Sequence, residues 1–270
     1  MMYLGTLGRM VPIKCPTTQR VTTTDRYTFS TTLGGAVKAQ VGPVGKRTWD
    51  IGLGSLTTPA DVGALMDFVT GGWGVGPFVF VPADAPVVNM LTPKAAACDP
   101  AALILSSGAE LLGTPPMNLG EDGVAATSAW TNGVGTVQFG GPIHAPPGQQ
   151  VTASAWVVGE GSIRLSFVNA NGSEIGTQVS PTQNIPTPQR IWVTGTVPAN
   201  AAYVRAMTTQ GITQVARPAV TWTSEPYEWG DGQGCDKAII HAASRDVTAA
   251  WDNPRTGRWS DMSFTVQEVG

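Results

Sequence analysis

The chain has 270 residues, 42% of them hydrophobic and 13% charged, with a net charge of −3 and a pI near 5.3. That is apolar material for the cores of two ordinary domains, so it excludes a disordered chain, and the near-balance of charge excludes a partner selected by bulk charge. With 33 glycines and 21 prolines among short runs of Thr, Val and Ala, the expectation is a mainly β protein. No stretch approaches the roughly 18 apolar residues of a membrane span, and the N-terminus lacks the apolar run of about 7 to 15 residues of a signal peptide. The expectation is synthesis in the cytosol, without membrane insertion.

Residues 1–46 read as extended segments, with six basic residues (Arg9, Lys14, Arg20, Arg26, Lys38, Lys46) against Asp25. The aromatics there are not interleaved with clustered Arg and Lys, so nucleic acid is not the expected partner. Residues 47–82 spell strand, helix, strand. Trp49, Ile51 and Leu53 share one face of the first strand, and residues 78–81 form the second. Between them Thr58 is placed to cap a helix, with Pro59 at its first position and Asp61 at its third. Val62, Leu65, Met66 and Val69 recur as its buried stripe, and Gly71 and Gly72 end it.

Residues 86–93 (PVVNMLTP) read as a linker. Beyond it come strands at 151–158, 162–168, 174–179, 189–197, 202–208 and 218–223, with a hairpin turn predicted at Asn169-Ala170-Asn171-Gly172. Strands so spaced, without helices, predict an antiparallel β-sandwich of jelly-roll type. From Trp229 the first texture returns, with strands at 237–242 and 259–269. Two strands are not stable alone. They are expected to join residues 1–90, giving a discontinuous frame domain (1–90 and 229–270) interrupted by an inserted domain (91–228). The insert carries five basic against eight acidic residues, the frame eleven of each.

Chemistry is sparse. The two histidines, His144 and His241, have no Cys, Asp or second His at ligand spacing, so neither a metal nor another cofactor is expected. No G-x-S-x-G elbow occurs, and the clusters Gly52/Gly54, 71–76 and 230–234 lack phosphate-loop spacing and read as turns. Cys15, Cys98 and Cys235 are expected as buried free thiols, the alternative being a Cys98–Cys235 bridge near the boundaries of the insert. Glycan cleavage would need a carboxylate pair, and Glu121/Asp122, adjacent in a Gly-rich turn, read as solvated. The chain is therefore not expected to be an enzyme. The nine tryptophans are mostly core material, but an exposed one can stack on a sugar ring. Trp130, beside Thr131-Asn132-Gly133 in a loop-like setting, is the candidate, with Arg205 and Arg217 as polar partners.

The frame segments KRTWDIGL, TTPADVGALMDFVTGGWGVGPFVFVP, NMLTP and WSDMSFTVQEVG resemble minor tail proteins of siphophages that infect actinobacteria, and more distantly distal tail proteins. The segments QQVTASAWVVGEGSIRLSFVNANGSEIGT, IWVTGTVPANAAYVRA and ARPAVTWTSEPYEWGDGQGC are similar to galactose-binding-like jelly rolls classed as carbohydrate-binding modules. The resemblance implies a distal-tail-like β-sandwich frame with one short helix. It also implies a homo-oligomeric ring, six copies favoured over three, joining tail tube to baseplate hub at the virion's tail tip. The insert would be displayed outward toward host cell-wall glycan. The alternative is a host-adhesion protein whose main role is carbohydrate binding.

Overall fold

The computed structural model describes residues 1–14, 16–24, 27–32, 35–41, 46–57, 59–120, 125–250 and 258–269. Thr58, Cys15 and Glu121/Asp122 lie outside them. In chain order the first elements are β1 (Met2–Thr6), β2 (Arg9–Ile13), β3 (Pro16–Thr23), β4 (Tyr27–Thr31), β5 (Val37–Val41), β6 (Arg47–Thr57), α1 (Pro59–Thr70) and β7 (Phe78–Val81). Two single-turn helices follow, α2 (Ala85–Val88) and α3 (Pro93–Ala96). Then come β8 (Ile104–Leu105), β9 (Leu111–Gly113), β10 (Pro116–Asn118), β11 (Ala125–Thr131), β12 (Val137–Gln138), β13 (Gln150–Gly161), β14 (Ile163–Val168) and β15 (Glu174–Val179). The last are β16 (Gln183–Thr196), β17 (Tyr203–Thr208), β18 (Ile212–Thr221), β19 (Cys235–Ala250) and β20 (Arg258–Glu268). The protein is mainly β, built on antiparallel sheets.

The chain divides into two compact units. One holds Met1–Leu4, Val11–Val79 and Lys237–Gly270, the other Gly5–Met10 and Phe80–Asp236. The expected boundaries at 91 and 228 fall inside the second unit.

In the first unit the neighbouring strands β19-β20-β6-β3 run side by side within a seven-stranded sheet, so strands from the two ends of the chain interleave. β6 is the link. It pairs antiparallel with β3 on one side and with β20 on the other, setting Ile51 opposite Phe264, Leu53 opposite Met262 and Trp49 opposite Val266. All six side chains are buried. Cross-strand pairs of this kind are the unit of sheet stabilisation. Arg47 closes the register with a two-pronged ion pair to Glu268 (Nε to Oε2 3.0 Å, Nη2 to Oε1 3.1 Å) while its guanidinium lies over the Trp49 ring. Helix α1 buries Val62, Leu65 and Phe68, whereas Val69 is exposed. The stripe is rotated from the predicted one because Phe68, the larger apolar group, takes the inward place. It stacks on Trp73 (centroids 4.6 Å) and meets Phe78 edge-on (5.0 Å). β4 and β5 pair as a separate two-stranded sheet.

The second unit is a sandwich. One sheet runs β10-β11-β18-β13-β16, with β9 also on β11; the other runs β15-β14-β17-β12-β8. Val151, Ala153, Ala155 and Val157 of β13 face Ile163, Leu165 and Phe167 of β14 and Val204 and Ala206 of β17 across a closed core. The β14–β15 hairpin turns where predicted. Asn169 Oδ1 accepts from the Asn171 and Ser173 amides at 3.0 Å each, and Gly172 takes φ +83°.

The passage read as a linker is instead part of this core. Asn89 is fully buried, and its amide makes four hydrogen bonds. Nδ2 donates to Pro218 O and Gly230 O at 3.1 Å each, and Oδ1 accepts from Leu91 N and Val220 N at 3.1 Å each. Beside it the backbone of 230–234 runs against that of 88–92, with Gln233 N donating to Asn89 O and Gly234 N to Leu91 O. A Cβ at Gly232 or Gly234 would strike the carbonyl oxygens of Leu91 and Thr92 or of Met90. These glycines permit a close approach of two chain segments, rather than the turns expected for them.

Cys98 and Cys235 are both buried free thiols, which removes the bridge between them. Burial pushes the Cys98 thiol up to about 12, so its thiolate form is suppressed at neutral pH. Two outcomes follow. Asn89→Ala leaves two amides and two carbonyls buried without partners and should cost at least about 4 kcal/mol of the second unit's stability in urea unfolding. Under native conditions Cys98 should resist Ellman's reagent, reacting only as the chain unfolds.

Candidate functional site

The six-stranded sheet of the second unit has one face against the sandwich core and one turned outward. Alternation along β13 separates them, Thr152, Ser154 and Trp156 belonging to the outer set. Carried across the registers, that set includes Ser128 and Trp130 of β11, Gln214 and Ala216 of β18, and Arg190, Trp192 and Thr194 of β16.

Residues 222–227 lie along part of this face and are held to it through their carbonyls. Thr152 Oγ1 donates to Thr223 O at 2.7 Å, Thr194 Oγ1 to Ser224 O at 3.2 Å, and Arg190 Nη2 to Tyr227 O and to Ser154 Oγ (3.0 Å). Thr223 turns its own hydroxyl onto Glu225 O at 2.6 Å. Thr152 and Ser154 are buried as a result, while Trp192, on the strand between the two anchors Arg190 and Thr194, is 51% exposed and Tyr227 48%. Two exposed aromatic residues, Trp192 two positions along β16 from Arg190 and Tyr227 bonded to it through its carbonyl, thus open to solvent. Toward the other side of the face Met117, Leu119, Ala126 and Ala216 form a small apolar cluster against which Trp156 and Val158 pack. Trp130 stands beyond it, 46% exposed, opposite Gln214, whose Nε2 donates to Ser128 Oγ at 2.7 Å. Three strand spacings and four residues along β13 put Trp130 and Trp192 roughly 20 Å apart.

The sequence candidates are therefore dispersed. Trp130 is in a strand, not a loop: AATSAWT is short of β-branched residues, and its strand character comes from long-range pairing with β18 and β9. Arg205 belongs to β17 in the other sheet and points out of it, its guanidinium over the Tyr203 ring and Nη2 donating to the Tyr203 hydroxyl at 3.1 Å. Arg217 takes φ +46° where the β13–β18 register shifts, and lies over the ring of Trp229. Neither arginine is a partner of Trp130. Arg190, Trp192 and Tyr227 were missed, although the alternation of Arg190, Trp192 and Thr194 with Ile191 and Val193 marks which face they share. Among the described residues no group of three or more His, Cys, Asp or Glu side chains could hold a metal ion.

No family model matches this sequence, and no curated protein does. Among solved structures, the enzymatically active domain of bacteriophage CBA120 tailspike protein 4 aligns at TM-score 0.38 and 15% identity, over 51% of this chain and 22% of that one. The CBM22-1 xylan-binding domain of Paenibacillus barcinonensis Xyn10C aligns at TM-score 0.35 and 8% identity, over 46% of this chain and 88% of its own. A CBM4 structure aligns at 0.31 and 16%, over 51% and 94%.

His144 is buried near this unit's end, edge-on to Trp222 at 6.0 Å, and burial pushes its pKa down to about 4. The unfolded chain, with an ordinary imidazole near 6.5, takes up the proton first as pH falls. Stability is therefore lost between about pH 6.5 and 4, by about 2 kcal/mol from pH 7 to pH 5. His144→Phe should flatten that part of the profile in urea titrations at the two pH values.

Proposed function

We propose that the protein is a structural subunit of a phage tail tip, a distal-tail-like minor tail protein without catalytic activity. Its interleaved sheet would serve as the ring-forming frame and its sandwich would be held toward the host wall. The observation that carries this reading is the interrupted sheet. β3 and β6 from the first quarter of the chain are bonded to β20 at its end, while the long stretch between folds around a core of its own. A frame of that design accepts a guest domain without losing its own register, as a scaffold bearing a displayed module requires. The sequence resemblance of the frame segments supports the same assignment. Rings form from heterologous contacts that close on themselves, and the six-to-one basic excess of residues 1–46 supplies one side of such a contact.

A second reading rests on a different observation, the exposed aromatic residues of the six-stranded sheet. Trp192 and Tyr227, with Trp130 on the same sheet face as Trp192, offer flat apolar surfaces to the C–H faces of sugars, and repetition around a ring would turn weak sites into useful avidity. Glycan contact is then the insert's contribution to the tail subunit, not a separate occupation.

Electron microscopy of purified virions checks the first reading. The expected result is ring density of six copies between tail tube and tip complex that accepts this fold. A monodisperse monomer absent from virions would end it.

A further inference from the structure

We infer that the ligand of the Trp192 platform is a neutral polysaccharide, not an anionic wall polymer; this inference rests on the glycan-contact reading. The charge around the platform argues for it. The guanidinium of Arg190 is turned down onto the sheet, with Nη2 shared between Ser154 Oγ and Tyr227 O, so it braces the segment 222–227 instead of offering a forked clamp to a carboxylate or phosphate. The same segment and the residue after it bring Glu225 and Glu228, both exposed, while the next cation, Arg217, lies over the Trp229 ring. A polyanion approaching Trp192 meets exposed carboxylates and guanidinia already engaged on a carbonyl and a ring. A neutral sugar meets two aromatic surfaces for its C–H groups and carboxylate acceptors for its hydroxyls. Burial of Thr152 and Ser154 under the same segment, and the bond between its Thr223 hydroxyl and that of Thr221 (2.6 Å), hold it in place before any ligand arrives.

Affinity electrophoresis of the full chain provides the test, in gels containing a neutral galactomannan, a neutral arabinogalactan or polygalacturonate, at low and high salt. Retardation is expected in the neutral polymers, unchanged by salt, with none in polygalacturonate. Trp192→Ala should weaken retardation at least about tenfold, the equivalent of about 1.4 kcal/mol. Tyr227→Ala, which keeps the backbone carbonyl used by Arg190, should weaken it as well. Stronger retention by polygalacturonate that fades with salt would overturn the neutral assignment while leaving glycan contact standing. Migration unaffected by all three polymers would overturn both. Neutral binding that survives both substitutions would remove the platform.

Discussion

The buried amide of Asn89 is the point on which the second unit turns. A side-chain amide has two donors and two acceptor lone pairs, and here all four are used on backbone groups from three separated stretches, 91, 218–220 and 230. The segment entering the sandwich, its last strand and the segment leaving it are thereby fixed to one another by a single residue. A sandwich interrupting another domain must bring its entry and exit together, and an apolar side chain at 89 could fill the space without satisfying four backbone groups. The cost of leaving such groups unpaired in a dry interior makes the arrangement specific as well as stable. Gly232 and Gly234 follow from it, since two backbones held this closely leave no room for a Cβ.

The frame solves a related problem with apolar pairing. β6 and β20 lie more than 200 positions apart, so the entropy of bringing them together must be offset by what they bury. Trp49, Ile51 and Leu53 opposite Val266, Phe264 and Met262 supply that burial, and each inward side chain is matched with another inward side chain. The Arg47–Glu268 pair sits at one end of this ladder, where it fixes register more than it adds stability. A slip of one residue would turn every tryptophan and phenylalanine of the pair outward and separate the charges.

Periodicity made much of this legible. Thr48 to Leu53 alternates clearly, residues 59–70 have a proline start and a glycine stop, and the Asn-Gly turn at 171–172 has the chemistry of its hairpin. What stayed hidden depends on long-range partners. The segment PVVNMLTP has prolines and no period, so it reads as a linker, and nothing local reveals that its asparagine is buried with four hydrogen bonds. AATSAWT is a strand only because β18 and β9 flank it. Arg205 and Arg217 were plausible companions for Trp130 by composition, but strand order puts one in the opposite sheet and a register shift gives the other to Trp229. The helical stripe erred by one position because spacing alone does not say which of two neighbouring apolar residues, Phe68 or Val69, has an aromatic partner to meet.

Why Trp192 remains exposed follows from the same bonding. Edge strand β16 carries outward Arg190 and Thr194 on either side of it, and both are spent on the carbonyls of 222–227. Were that segment free, the indole and the neighbouring Trp156 would be free to collapse together, as apolar groups on a solvated sheet face tend to do. Tethering on both sides instead holds the backbone beside the ring without covering it. The segment beside the ring is therefore tethered before any contact, so on the glycan-contact reading proposed above little ordering entropy is left for binding to meet. An unanchored tryptophan in a loop, the arrangement expected for Trp130, would have to be ordered by its ligand at each encounter. If the proposed glycan contact is made through many weak copies, a platform set in advance on a strand is the more effective arrangement.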